Sequence, residues 1–196
     1  MNQNLNFDKT TEELTGAAGR ALGGIITKMI KNGGFPLKVY KILYESCVCS
    51  ISDYGSEILG FHQYDSIEKL HSRAIRAFLG VPRTAPIVGL RSEINWLEPR
   101  SRTQLKMIRM YHRLVCMPDN LLTKKIFLWD LHLTENTNLK TWTKEVREVL
   151  QRNDSMTLFT TNIFDIKNAV AEIKNSLLAK LTAHFVIDAF DNCVSY

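Results

Sequence analysis

The chain has 196 residues, enough for one medium domain or two small ones with a real core. At 45% hydrophobic and 23% charged it reads as globular, and no apolar run approaches the roughly 18 residues of a membrane span. The net charge is +5, and the opening "MNQNLNFDKTTEEL" has neither the basic nor the apolar part of a secretory signal, so an intracellular place (nucleus or cytoplasm) with four reduced cysteines is expected.

The first predicted element is a helix. Thr10 and Glu13 are spaced as a capping box, and Leu14, Ala17, Ala21, Leu22, Ile25, Met29 and Ile30 follow the 3.6 period. Gly16, Gly19 and Gly23 lie on this helix at about 1 kcal/mol each relative to Ala, which predicts another backbone packed close to that face. "KNGG" ends it at Gly33 or Gly34. Pro36 is placed at the first position of a second helix, whose apolar side is Leu37, Tyr40, Leu43, Tyr44, Cys47, Val48 and Ile51. "SDYGSEILGF" interrupts it, with Asp53 as a cap for a new turn.

A third helix is expected from Asp65, as N-cap, to Gly80. Pro86 starts a short helix to about Ser92, and "NWLEPRSR" is a turn with a buried Trp96. A long helix then runs from about Pro99 to Met117, and Asp119 caps the next, which reaches Trp129. Residues 131–138, "LHLTENTN", are polar and turn-rich and mark the expected boundary between a helical domain (1–130) and a C-terminal helical extension (131–196). Leu139, Trp142, Val146 and Val149 mark a further helix, and Asp165 caps a last helical region. No β-alternation lasts beyond four residues, so the expected fold is all-α, about seven to nine helices without a substantial sheet.

The charge is unevenly spread. Residues 1–117 carry 16 Lys+Arg against 10 Asp+Glu, net +6, whereas 118–196 carry 9 against 10, net −1. Between Lys69 and Arg113 there are 10 basic residues and only two acids, Glu93 and Glu98. Lys69, Arg73 and Arg76 stand at i, i+4 and i+7, with Arg83 just beyond the helix stop. Arg102, Lys106, Arg109 and Arg113 repeat the pattern within about 60° of one another around the helix axis. Exposed helices usually alternate charge sign to form i,i+4 pairs, and these two are nearly all positive. Lined-up like charges repel, and a polyphosphate backbone relieves that repulsion; the preference for Arg suits forked phosphate contacts.

These stretches also resemble a known family. "DYGSEILGF", "IEKLHSRAIRAFLGVPRTAP" and "LRSEINWLEPRSRTQLKMIRMYHRLVCMPDNLLTKKIF" are similar to the region that follows the catalytic palm in non-LTR, LINE-type retrotransposon reverse transcriptases. The matching positions are Tyr54, Gly55 and Glu57; Leu79, Gly80 and Pro82; and Trp96, Leu97 and Pro99. "NLNFDKTTEELTGAAGRALG" resembles the start of the thumb, so the resemblance covers about residues 4–150. Gly60-Phe61 stands where the family commonly has Trp, and Asn95 where Gly precedes Trp. The family's Tyr-Ala-Asp-Asp motif does not occur in the chain. The resemblance implies the thumb and post-thumb part of an RNA-directed DNA polymerase without its chemistry. It also implies RNA–DNA or DNA duplex as partner and a palm domain as neighbour.

Other chemistry finds little support. Asp53 and Glu57 read as a cap and a surface charge rather than a metal pair, and the five histidines have no HExxH spacing. His71 and His112 are polar edges or phosphate donors. Cys47 and Cys49 form a C-x-C pair with no cluster to complete a zinc site, and "GRALGG" is not a phosphate loop. The expected function is therefore non-catalytic nucleic-acid holding, with no cofactor, metal, membrane or small-molecule substrate. Lys69, Arg73, Arg76, Arg83, Arg102, Lys106, Arg109 and Arg113 would make sequence-independent phosphate contacts. A helical protein-interaction module and a nonfunctional retroelement remnant are the two alternatives.

Overall fold

The computed structural model describes residues 8–59, 64–152, 171–176 and 178–179. Among them the fold is all-α. The expected helical region after Asp165 falls largely outside the described residues. No described helix is long and apolar enough to cross a membrane. The chain forms two compact units: Met1–Tyr54 with Gln63–Pro99, and Gly55–His62 with Arg100–Tyr196.

The first unit is built on α1 (Asp8–Lys31), which seats Ala18, Leu22, Ile25 and Met29 in the core. Gly33, at φ +71°, ends it: the Gly33 N–H donates to the Ile30 carbonyl and the Gly34 N–H to that of Met29, at 3.2 and 2.8 Å. Pro36 is the N-cap of α2 (Leu37–Leu43) rather than its first residue. α2 runs into a π-helical segment, Tyr44–Cys49, and then α3 (Ser50–Ser52). Tyr40, Tyr44 and Val48, four residues apart along this stretch, are all buried. α5 (Asp65–Leu79) packs on α1, and α6 (Ile87–Glu93) on α5. Asp65 is the first helical residue of α5, and its N-cap is Tyr64.

An aromatic cluster fills the middle of this unit. Tyr40 stacks on Phe78 at 4.8 Å, and Trp96 meets Tyr44 edge-on at 4.7 Å and His71 at 5.1 Å. Trp96 is held there by the end of α6, where its N–H donates to the Arg91 carbonyl (3.0 Å) and that of Asn95 to the Ser92 carbonyl (3.1 Å). Asn95 has φ +49°. That left-handed conformation explains why Gly would suit this position and why Asn, which tolerates it, stands there.

Among the described residues, the expected close backbone approach along α1 is not found. A Cβ at Gly16 would first meet Arg20 Nη1 at 4.0 Å, and one at Gly19 would meet Leu70 Cδ1 at 3.9 Å, both ordinary contacts. A Cβ at Gly23 would meet nothing within 4 Å among the described residues.

The second unit holds α4 (Ser56–Leu59), α7 (Pro99–Val115) from Arg100 onward, α8 (Leu122–Asn136) and α9 (Trp142–Arg152). Residues 118–121 form a turn, so α8 starts after Leu121 and not at an Asp119 cap. α8 also continues through the expected boundary at 130/131. The polar string there is structured by tertiary contacts. Asp130 Oδ2 accepts from the Thr143 N–H (2.9 Å) and hydroxyl (2.7 Å), capping the start of α9. The Thr134 hydroxyl meets those of Thr141 and Thr143. Tyr111 packs edge-on against Phe127 at 5.6 Å, and Trp142 Nε1 donates to the Glu57 carbonyl at 3.1 Å.

Candidate nucleic-acid interface

α5 buries Ile67, Leu70, His71, Ala74 and Ile75, which leaves Lys69 and Arg73 exposed and Arg76 half-buried on its other side. Gly80, at φ +66°, reverses the chain, and the Val81 N–H donates to the Arg76 carbonyl at 3.2 Å. Arg76 itself holds the returning segment: its Nη2 donates to the Ala85 carbonyl at 2.9 Å. This positions Arg83, which is exposed, at the same groove as the helix row. The groove has a volume of about 760 Å³ and is lined by Lys69, Arg73, Arg76 and Arg83, together with Asp65 and Glu68.

Of the two acids, Asp65 is exposed four residues before Lys69, and Glu68 is turned away to an internal pair. Glu68 is drawn toward Arg91, whose Nη2 lies 2.5 Å from Glu68 Oε2 and whose Nη1 lies 3.6 Å from Glu98 Oε2. Arg91 is buried, so this pair is internal structure. Among the described residues, Lys69, Arg73 and Arg83 have no carboxylate within salt-bridge distance. Their like charges stand side by side at the edge of a concave surface, which favours an anion there.

The second expected row belongs to the other unit. α7 buries Ser101, Thr103, Gln104, Leu105, Met107, Ile108, Tyr111 and Leu114. Arg102 and Lys106 are half-buried and already engaged with other groups of the chain, whereas Arg109 and Arg113 are exposed. Four of the eight expected contact residues thus share one groove, and the other four share one face of α7.

Several polar residues have other roles. His71 is fully buried with Nδ1 3.2 Å from the Tyr44 hydroxyl, so it belongs to the aromatic core and not to a phosphate contact. His112 is half-buried and lies 3.5 Å from Cys116 Sγ through Nε2. Asp53 and Glu57 do not share a helix face, because a turn containing Gly55 at φ +72° separates α3 from α4. Among the described residues no group of three or more His, Cys, Asp or Glu could hold a metal ion.

Compared with known proteins, the chain matches no family model, no curated protein and no solved structure. The groove therefore stands on its own residues.

Sequence reading missed Arg20. It is exposed on α1, and it joins Lys69 and Arg73 around a second recess that only the packing of α1 on α5 creates. Two further lysines close helix ends instead of adding to the surface charge. Lys41 Nζ donates to the carbonyls of Ile94 and Asn95 at 2.8 and 3.0 Å, closing the end of α6. Lys124 Nζ donates to those of Leu114 and Val115 at 3.0 and 2.7 Å, closing the end of α7.

Proposed function

We propose that this chain holds a nucleic-acid duplex through its phosphate backbone and performs no chemistry of its own. It would do so as the thumb and post-thumb portion of a LINE-type retrotransposon reverse transcriptase. One observation carries the reading: Lys69, Arg73, Arg76 and Arg83 line a single groove, and one of its two acids, Glu68, is paired with the buried Arg91. Backbone contacts of this kind position a duplex without reading its sequence. Arg109 and Arg113, exposed on α7, would add contacts of the same type. Charge reversal tests this directly. Arg73→Glu and Arg109→Glu should each weaken binding to an RNA–DNA duplex at low salt, and the pair should abolish it, with helical content unchanged. Full binding by the double variant would refute the assignment.

One further observation favours a second reading, a protein-interaction module. Leu122, Ile126 and Trp129, at i, i+4 and i+7 on α8, are 72%, 56% and 64% exposed. An apolar stripe of that kind suits a helical partner or an adjoining domain such as a palm. Under this reading the charge reversals leave partner binding intact, and Trp129→Glu removes it.

A further inference from the structure

The α5 groove leaves the recess on the other side of the Lys69–Arg73 row unexplained. That recess lies between α1 and α5, has a volume of about 530 Å³, and is lined by Arg20, Lys69 and Arg73 with Glu12 as the one acid among the described residues. Three cations from two helices thus face one carboxylate. Among the described residues, none of the three cations has a salt-bridge partner.

The floor of the recess is hydroxyl and bare backbone. Thr15 and Ser66 line it with their oxygens 3.4 Å apart. The Thr15 hydroxyl donates to the Thr11 carbonyl at 2.7 Å, so Ser66 is the donor in its long contact with Thr15, a weak bond that an incoming anion would replace. Gly16 and Gly19 complete the floor. Packing does not require either, since a Cβ at each would meet only ordinary contacts. Each nonetheless weakens the helix relative to Ala. What the glycines leave is open space beside three cations.

We propose that this recess is a further phosphate seat, with Arg20 as its own cation and Lys69 and Arg73 shared with the groove. The ligand is a phosphodiester of a nucleic-acid strand. Because Lys69 and Arg73 line both cavities, a backbone lying in the α5 groove reaches the recess without leaving them. The track then runs from Arg83 through Arg76, Arg73 and Lys69 to Arg20. This inference rests on the duplex-holding reading and adds one phosphate to it.

The test uses the full chain and a short DNA duplex, with affinity measured across a salt series. Arg20→Gln should lower the slope of log affinity against log salt by about 0.9, the contribution of one phosphate, while Arg20→Lys keeps it. Gly16→Leu adds no charge and suits a helix, yet it fills the recess. It should weaken duplex binding about tenfold, the scale of one lost charge-assisted hydrogen bond, with thermal stability unchanged or raised. If the native chain binds but both variants behave like it, the recess assignment fails and the groove reading stands. If the native chain does not bind, both fail. Inorganic phosphate added at constant ionic strength separates a strand from a free anion. Displacement no better than chloride supports the strand; displacement at micromolar phosphate that Arg20→Gln removes would overturn it.

Discussion

Lys124 shows how a residue's place decides its role. It is 6% exposed, donates to two carbonyls at the end of α7, and lies 5.3 Å from the centre of the Phe127 ring. Replacing it leaves two carbonyls unpaired in a site with little water. Lys124→Met should therefore cost about 1–3 kcal/mol in denaturant unfolding without changing duplex affinity. An unchanged midpoint would show that water takes over the cap. Two buried tyrosines make a second residue-scale expectation. Burial raises the Tyr40 and Tyr111 hydroxyls from 10.0 to about 12; for Tyr111 the nearby Arg147 opposes this and Glu135 adds to it. A folded pKa above the unfolded one means that the folded state keeps the protons. The stability these groups contribute is full below pH 10 and is lost as pH rises toward 12. In a spectroscopic tyrosinate titration Tyr40 and Tyr111 should ionise last, with loss of structure setting in as they do. Early ionisation in the folded chain would contradict their burial.

At the scale of elements, α1 is the plainest case for stabilisation. Gly24 is exposed in mid-helix, and a Cβ there would meet nothing within 4 Å among the described residues. Gly24→Ala should raise stability by about 0.5–1 kcal/mol, read as an upward shift in unfolding midpoint. No gain would mean that α1 is not the helix described. Most helices were legible in the sequence because local rules set them. The 3.6-residue repeat of Leu22, Ile25 and Met29, and the stops at Gly33 and Gly80, need no tertiary information. The second half of α8 was not legible. Residues 131–136 look like a linker until Thr134 meets Thr141 and Thr143 and Asp130 caps α9. The π segment was also hidden, because its residues keep an ordinary helical spacing. At the candidate site the same division holds. The rows on α5 and α7 follow from spacing alone, whereas Arg20 joins the site only through the packing of α1 on α5. The internal roles of Arg91, Lys41 and Lys124 likewise depend on partners outside their own helices.

For the whole molecule, net charge alone says little. A chain at +5 over 196 residues is unremarkable in sum, and part of its basic content closes helices or pairs internally. Seven of the other cations are grouped: four on one groove, a fifth across the adjoining recess, and two exposed arginines on α7. Concentrated cations bind phosphate by releasing its counterions, which gives a steep dependence on salt. An apolar docking surface has no such dependence, so salt separates the two readings of the chain better than affinity does.

The most direct measurement is therefore the affinity of the 196-residue chain for a short DNA duplex between low and physiological salt. The account predicts binding at low salt and a log–log slope of roughly −4 to −5, about 0.9 for each phosphate met by the groove and the recess. It also predicts that Arg73→Glu flattens that slope. A folded chain that fails to bind at low salt, or binds with a slope near zero, would contradict it.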